Sequence, residues 1–496
     1  MKRQLAYLCL GAGVAALAGC SPNNPQTTDA AHAPAQVASS GSTAGSMEDT
    51  YTPAGEPGTL PATMDMLKHA IAYQSATGHG DQTFAFARYL ASALESAGFA
   101  RSDIEIVPVD GIDKSAALVL KYPGTSDAKP ILINGHMDVV AADADRWTHP
   151  PFELAQEGDY LYGRGVADMK NEVVALVQTL MRLKKDGYKP VRGLVVVLTG
   201  DEETDFASAR MLAPKYKDVE YVIDAEGGAG TYSDDLKPEL YRIGAAEKLN
   251  VDYLLTATGP GGHSSAPLHN NPLYTLSRAL AKVEQYQFPV TYNEITLASF
   301  KGLGEHMQGP LGDAMKAFAA NPKDAKAAAT LSAEPAYVGQ LRTTCVGTTM
   351  ESGHALNAVP KLANANINCR VWPGVSPDTI KAELTRVIDD PAVNIAIQDP
   401  QPVVSQASPI MPKLFDTITA TIHERFPNVD VVPAQGAGAS DNQFFRNEGL
   451  PAYGVSPFFA KPGDSRAHGI DERVLAGEFQ PALDFWHSLL QKITRE

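Results

Sequence analysis

Acidic side chains and a histidine follow three short aliphatic runs of this sequence, at the point where each run ends. The runs occupy residues 131–134, 193–198 and 221–223, and the residues after them include His136 and Asp138, Glu202 and Glu203, and Glu226. A neutral imidazole with several carboxylates and no thiolate is a hard ligand set that suits Zn²⁺, Mn²⁺ or Co²⁺. A further carboxylate, Asp168, ends a glycine-rich segment before a predicted helix. These residue types predict a metal site.

The order of residues within each cluster is a second indication of metal chemistry. His136 with Asp138 two positions later is a common pairing of a ligand with the carboxylate that fixes its tautomer. Adjacent Glu202 and Glu203 can divide two tasks, since one can bind metal while the other takes a proton from bound water. Each pattern alone is more often structural or solvated. Their repetition at successive strand ends favours the functional interpretation.

The segments between these clusters predict the elements that bring them together. Residues 171–185 carry apolar side chains at helical spacing, and short strands alternate with such helices along the chain. This alternation is typical of an α/β fold with parallel strands and crossover helices. In open α/β sheets, ligands bind beyond the carboxyl ends of the strands. We therefore expect the polar clusters to meet at one rim of a sheet.

The composition of the 496-residue chain is that of a globular protein with more than one domain. Hydrophobic residues make up 44% and charged residues 20%, which excludes fully disordered, collagen-like and coiled-coil classes. Lys and Arg number 41 against 57 Asp and Glu, so the net charge is -16. Because phosphate contacts need clustered cations, this balance argues against a nucleic-acid partner.

Residues 1–19 have the form of a lipoprotein signal peptide, with basic residues before an apolar segment that is too short to span a bilayer comfortably. Residues 17–20, Leu-Ala-Gly-Cys, resemble the lipobox of bacterial lipoproteins, in which the cysteine becomes the lipid-bearing N-terminus. We expect a membrane anchor at Cys20. Ser21 favours an outer-membrane lipoprotein facing the periplasm, or more broadly a cell-envelope anchor. A plain signal peptide with a chance cysteine is the alternative.

Residues 20–58 are rich in Ala, Ser, Thr, Pro and Gly and predict a flexible tether before the folded body. Cys345 and Cys369 are then the cysteines of the folded part. A disulfide in an oxidising compartment and two buried thiols are both consistent with the sequence. The choice depends on a distance that sequence does not give.

The motifs together resemble one family, the di-zinc metallopeptidases that include aminoacylase, glutamate carboxypeptidase, carnosinase, acetylornithine deacetylase and succinyl-diaminopimelate desuccinylase. The segments that carry the resemblance are residues 135–140, 163–170, 201–203, 224–227, 259–267, 357–360, 439–442 and 468–473. They extend over nearly everything after about Leu60. The match is specific because many motifs occur in the same order.

The resemblance implies a zinc-exopeptidase catalytic domain, with a mostly parallel sheet between helices, formed by residues 59–246 and 374–496. It implies an inserted smaller α/β lid and dimerisation domain at residues 247–373. It also implies a cis peptide bond between Asp168 and Met169. The chain departs from the family after Lys170, where Asn171 and Glu172 replace the usual glycine, and in a long stretch at residues 294–337 that is predicted to be helical in part.

The resemblance further implies two divalent metal ions, with zinc as the metal and cobalt or manganese as alternatives. The residues that would bind them are His136, Glu203, Glu226 and His468, with Asp168 bridging the two ions. The metals would acidify a bridging water and polarise the scissile amide carbonyl. Glu202 would be the general base, and Asp138 the partner of His136.

Three further residues of the implied lid would act on the substrate. His263 would hold the tetrahedral oxyanion, commonly from the partner subunit of a homodimer formed through the lid. Arg370 would bind the free carboxylate of the substrate, and Asn357 would orient it. Whether His263 acts within one chain or across a dimer stays open.

The function that this resemblance implies is metal-dependent hydrolysis of the amide bond next to a C-terminal or N-acylated amino acid. Such an enzyme is a carboxypeptidase, an N-acyl-amino-acid hydrolase or a dipeptidase, and its substrate is a small peptide or an N-acyl amino acid. A di-zinc aminopeptidase is the alternative, although such enzymes typically lack the lid. A non-catalytic binding protein on the same fold is the third hypothesis.

Overall fold

The computed structural model describes residues 50–112, 114–267, 269–398 and 403–495. The predicted signal peptide, Cys20 and most of the predicted tether lie outside these ranges. Among the described residues, no helix combines the length and the apolar character that crossing a membrane requires.

The helices of the described chain are, in order, α1 (Leu60–Ala72), α2 (Thr83–Ser96), α3 (Lys170–Lys185), α4 (Ala207–Leu212), α5 (Pro272–Gln285), α6 (Glu294–His306), α7 (Pro310–Ala320), α8 (Ala325–Ser332), α9 (Pro335–Val338), α10 (Pro377–Ile388), α11 (Pro412–Arg425), α12 (Asn442–Asn447) and α13 (Phe479–Ile493).

The strands are β1 (Ile104–Pro108), β2 (Ala116–Tyr122), β3 (Ile131–His136), β4 (Ala155–Glu157), β5 (Tyr160–Tyr162), β6 (Leu194–Thr199), β7 (Val222–Asp224), β8 (Ala229–Tyr232), β9 (Pro238–Glu247), β10 (Leu249–Thr258), β11 (Gly262–His263), β12 (Thr344–Ser352), β13 (Ala358–Val359), β14 (Leu362–Val371), β15 (Val393–Ile397), β16 (Asp430–Gly436), β17 (Ala452–Gly454), β18 (Phe459–Ala460) and β19 (Arg473–Leu475).

The large sheet has a parallel centre flanked by antiparallel strands. Its order is β1-β2-β6-β3-β7-β17-β9-β8-β18, with β16 also paired to β9. Strand β3 runs parallel to both β6 and β7, and β7 runs parallel to β17. Helices α4 and α12 pack on one face, and α3 lies against β3 with α1 and α13 beside it. Every residue of β3 and β6 is buried, and aliphatic side chains fill the first half of β3 and all of β6 except its last position, as strands covered on both faces require.

Helix α3 carries two buried polar residues at the position where the chain departs from the family pattern. Asn171 and Glu172 are each 2% exposed. The Glu172 carboxylate accepts hydrogen bonds from Ser456 Oγ and from Trp486 Nε1, and so joins α3 to α13. Burial raises the pKa of Glu172 to about 8.

The smaller sheet is antiparallel, with the order β12-β14-β10-β15. One of its faces packs against α5 and α10 in a continuous apolar core that includes Tyr253, Leu276, Ile367 and Leu384. Cys345 and Cys369, which lie opposite each other on β12 and β14, form a disulfide. The sheet and its helices continue to Ile397, so the boundary predicted at residue 373 is too early. The reason is the long-range pairing of β15 with β10.

Helices α6 to α9 form a compact insertion with its own apolar core, built around Phe300, Met315, Phe318 and Leu331. The stretch at residues 294–337, which is predicted to be helical in part, is therefore helical over most of its length. Helix α6 packs against β16 of the large sheet. A Cβ atom on Gly302 would lie 2.3 Å from Val432 Cγ1, so the helix reaches the strand because position 302 has no side chain.

Candidate metal centre

The predicted metal ligands come from adjacent parts of the large sheet. His136 is the last residue of β3, and Glu203 and Glu226 follow β6 and β7, the two strands beside it. Asp168 lies just before α3, and His468 lies in the segment before β19. Because the carboxyl ends of parallel strands meet at one rim, these side chains converge there. The Asp168–Met169 peptide bond is cis, as the family resemblance implied.

The ligands form two groups that share Asp168. In the first, His136 Nε2 lies 3.2 Å from Asp168 Oδ1 and 3.7 Å from Glu226 Oε2. In the second, His468 Nε2 lies 3.1 Å from Asp168 Oδ2 and 2.9 Å from Glu203 Oε2. Each group has three ligand atoms within 4.8 Å of one another. One oxygen of Asp168 faces each group, so the arrangement fits two divalent cations bridged by one carboxylate.

Asp138 positions the turn that carries Glu202 and Glu203. Its carboxylate accepts the backbone N–H of Glu202 at 3.1 Å and that of Glu203 at 3.0 Å. The ring Nδ1 of His136 is 3.1 Å from the backbone oxygen of Asp138 and 3.5 Å from its carboxylate. The predicted pairing with the carboxylate is thus the longer contact, because that carboxylate is occupied by two backbone donors.

Glu202 lies beside the ligands in a buried position. It is 7% exposed, and its carboxylate can approach His136 and Glu203 within the same 4.8 Å limit. Burial raises the pKa of Glu202 well above its usual range, and the Glu226 carboxylate raises it further. A carboxylate whose pKa is raised is a stronger base, which favours general base catalysis.

A buried ion pair holds the loop that presents Asp168. Glu472 is fully buried and lies 2.6 Å from Arg164 Nη1. Its carboxylate also accepts the backbone N–H groups of Gly165, Ala167 and Asp168 at 3.0, 2.8 and 3.0 Å. Glu472 stands in a motif that carried the family resemblance, but no pattern in the sequence pairs it with this loop.

A second acidic layer lies behind the centre. Asp441 accepts hydrogen bonds from Thr199 Oγ1 at 2.6 Å and Asn134 Nδ2 at 3.2 Å, and burial raises its pKa to about 7. Both carboxylate oxygens of Asp224 are buried without a hydrogen-bond partner among the described residues. When ionised, these side chains add negative potential behind the candidate ligands, which favours cation binding. Sequence analysis assigned no role to either residue.

The centre opens into a cavity of about 860 Å³ between the two sheets. Its walls include the ligands, Arg370 on β14, and Phe206 and Phe444 on the side of the large sheet. Arg370 Nη1 donates to the backbone oxygen of Ala437 at 3.4 Å. The structure therefore brings Arg370 to the same cavity as Glu202 and the ligands.

His263 and Asn357 lie together on a different part of the chain. Strand β11 pairs with β13, and Ser264 N–H donates to the backbone oxygen of Asn357 at 2.9 Å. His263 is exposed, and its Nδ1 is 2.8 Å from Ser265 Oγ. Neither residue is among those that line the cavity in the described chain. The structure thus joins these two predicted residues to each other but not to the metal centre.

Comparison with known proteins identifies the family. Residues 132–492 match the profile of Peptidase family M20/M25/M40. The chain belongs to this family. It is 31% identical over 395 residues to a probable carboxypeptidase S-like 2 of Dictyostelium discoideum, covering 76% of this chain and 74% of that protein. It is 27% identical to the human N-fatty-acyl-amino acid synthase/hydrolase PM20D1, covering 73% of this chain and 74% of the relative.

A solved structure shows the same fold. The M20 family metallo-carboxypeptidase Sso-CP2 from Sulfolobus solfataricus superposes with a TM-score of 0.66 at 18% identity, covering 86% of this chain and 98% of that one. The predicted family and α/β fold are therefore confirmed. The chain is a metal-dependent hydrolase of amide bonds.

Exchanging Glu202 or Glu203 for glutamine is expected to separate catalysis from metal binding. Glu202→Gln keeps the ligand set and removes the base, so kcat should fall by about 10²–10⁴-fold while the metal content stays at the wild-type level. Glu203→Gln removes a ligand and should lower the metal content itself. Elemental analysis after dialysis and steady-state kinetics measure both. Metal loss in Glu202→Gln would contradict this division of roles.

Glu472→Gln is expected to weaken the loop that presents Asp168. Breaking a buried ion pair costs about 3–5 kcal/mol in the free energy of unfolding, and loss of a residue that supports a ligand costs about 10–100-fold in metal affinity. Glu478→Gln is the control, because Glu478 is a buried carboxylate that pairs with the partly exposed Arg425 away from the centre. The control should lose stability in urea but retain wild-type affinity in metal titrations. Equal metal affinity in both variants would refute the role of Glu472.

Proposed function

We propose that this protein hydrolyses the amide bond beside a C-terminal or N-acylated amino acid whose α-carboxylate is free. The observation that carries the proposal is the presence of Arg370 in the same cavity as the two ligand groups and Glu202. The described chain provides one hydrogen-bond acceptor for Arg370, a backbone oxygen, and no carboxylate within salt-bridge distance. A guanidinium with free donors suits a carboxylate of the substrate.

In this proposal His136 and Glu226 would hold one metal ion and Glu203 and His468 the other, and Asp168 would contribute to both sites. Zinc is the proposed metal, because these imidazole and carboxylate ligands are typical of its catalytic sites. Two divalent ions bound there supply Lewis acidity for water activation and carbonyl polarisation.

The protein's own side chains carry out the proton transfers and the orientation of the substrate. Glu202 accepts the proton of the attacking water and delivers it to the leaving amine. Asp138 holds the backbone of Glu202 in place through its hydrogen bond to the N–H. Arg370 binds the free carboxylate and so sets the distance between the scissile carbonyl and the centre.

We also propose a homodimer formed through the smaller sheet, in which His263 of one chain stabilises the oxyanion in the cavity of the other. In support, β12 is an edge strand of this sheet and exposes Val346 and Met350. An edge strand with exposed apolar side chains readily pairs with another chain. His263 is exposed and does not line the cavity of its own chain, which favours action from a partner, with Asn357 beside it to orient the substrate.

The substrate requirement can be tested by comparing matched compounds. N-acyl amino acids and dipeptides should be cleaved, and their C-terminal amides should not. Arg370→Met should raise KM for the carboxylates by about 10–100-fold, because a charge-assisted hydrogen bond contributes about 1.5–3 kcal/mol. Chelation should abolish turnover and added Zn²⁺ should restore it. Cleavage of the amides in preference to the carboxylates would overturn the proposal in favour of an aminopeptidase.

We further propose that the protein is a lipoprotein of the bacterial cell envelope, anchored through Cys20 to the outer membrane on its periplasmic side. The support is residues 17–20 and the basic and apolar segments before them. Cys20→Ser should shift the protein from the membrane pellet to the soluble fraction, and Ser21→Ala should leave it in the pellet. Membrane recovery of Cys20→Ser equal to that of wild type would rule out this anchor.

A further inference from the structure

The two faces of the smaller sheet differ in chemistry. One face is the apolar core under α5 and α10. The other carries amide and carboxylate side chains, a set that we call the amide wall and that consists of Asn250, Asp252, Asn366, Asn368 and Gln398. Four of these residues, all except Asn368, line the cavity in front of the metal centre.

A chain of hydrogen bonds orders the amide wall across three strands. Gln398 Nε2 donates to Asn366 Oδ1 at 2.7 Å, and Asn366 Nδ2 donates to Asp252 Oδ1 at 2.6 Å. Asn368 Nδ2 donates to the same carboxylate oxygen at 3.0 Å and to Asn250 Oδ1 at 2.8 Å. The side chains are therefore fixed in position before any ligand binds, which lowers the entropic cost of recognition.

Some polar atoms of the amide wall have no hydrogen-bond partner among the described residues. Within the described residues, no donor reaches Asp252 Oδ2 and no acceptor reaches Asn250 Nδ2. A ligand group that donates to Asp252 Oδ2, or that accepts from Asn250 Nδ2, takes over the hydrogen bond of the water that it displaces. An alkyl group placed there removes that water without replacing its hydrogen bonds, which is unfavourable.

The amide wall begins beside Arg370. Asn250 lies directly opposite Arg370 in the pairing of β10 with β14, and Asp252 lies opposite Asn368, one step along the same face. Two residues of a strand advance about 6.8 Å. That spacing matches the reach of a glutamine or lysine side chain from its own α-carboxylate.

The opposite wall of the cavity carries aromatic side chains instead of the amides of the amide wall. The rings of Phe206 and Phe444 pack at a centroid distance of 5.6 Å, and the guanidinium of Arg210 lies 5.3 Å from the centre of the Phe444 ring. Apolar surface is thus available on the large-sheet side, and the polar surface is concentrated next to Arg370.

We infer that the amide wall binds the side chain of the amino acid that hydrolysis releases, and that this side chain is polar and ends in a hydrogen-bond donor such as an amide, an imidazole or an ammonium group. The inference rests on the proposed function, because it places the α-carboxylate of that amino acid on Arg370. It makes Asn250 and Asp252 residues that determine specificity.

The test compares kcat/KM for length-matched pairs of substrates, N-acetylglutamine against N-acetylmethionine and N-acetyllysine against N-acetylnorleucine. The wild type should prefer the polar member of each pair at least about tenfold, since a site built for hydrogen bonds discriminates against substrates that lack them. Asn250→Leu should remove most of the glutamine preference, and Asp252→Asn most of the lysine preference.

Asn364→Leu is the matched control. Asn364 lies on the same face of β14, pairs with Thr256 Oγ1 at 3.1 Å and is not among the residues that line the cavity. Its variant should keep both preferences. Metal content and circular dichroism show whether each variant folds.

The possible outcomes test the inference separately from the proposed function on which it rests. Cleavage of both members of each pair without a polar preference overturns the inference and leaves the proposed function intact. A polar preference that survives both Asn250→Leu and Asp252→Asn also overturns the inference, because another surface must then supply it. Failure to cleave any N-acyl amino acid or dipeptide overturns the proposed function and the inference together.

Discussion

The sharing of the Asp168 carboxylate between two histidines is the interaction on which the rest of the site depends. Each oxygen faces a different ligand group, so a small rotation of this side chain would disturb both groups. The backbone from which this side chain projects is fixed from outside the centre, because Glu472 accepts the backbone N–H of Asp168 and of its neighbours. The buried ion pair with Arg164 in turn fixes Glu472. The position of Asp168 between the two candidate ligand groups is therefore supported by a carboxylate that belongs to neither group.

The convergence of the candidate ligands could be predicted from sequence because the relevant information is local. His136 ends a strand, Glu203 and Glu226 follow within four residues of the ends of theirs, and a parallel sheet brings such positions together whatever the details of packing. The contacts of Glu472 could not be predicted, since Gly165 and Glu472 are 307 positions apart and no periodicity links them. Asp224 and Asp441 were also missed, because a buried carboxylate behind a site has no signature that separates it from a surface one.

Some features of the fold can also be predicted from local sequence, whereas others depend on contacts between residues that are far apart in the chain. The helices of the insertion follow from its composition, but the packing of α6 on β16 depends on the fit of Gly302 against Val432, which only the assembled structure shows. The early boundary at residue 373 has a related cause. Strand β15 is short, and the sequence alone does not separate it from the segment that follows. Its place in the smaller sheet is set by pairing with β10, more than a hundred residues earlier.

The disulfide between Cys345 and Cys369 lies on the strand that also carries Arg370, one position from it. The covalent link therefore joins β12 to the strand that carries Arg370, in addition to the backbone and side-chain hydrogen bonds of the sheet. Disulfides persist where the surroundings are oxidising and are lost where thiols are kept reduced. The cross-link between β12 and the strand that carries Arg370 is thus coupled to the redox state of the surroundings, because among reduced thiols only non-covalent contacts would join the two strands.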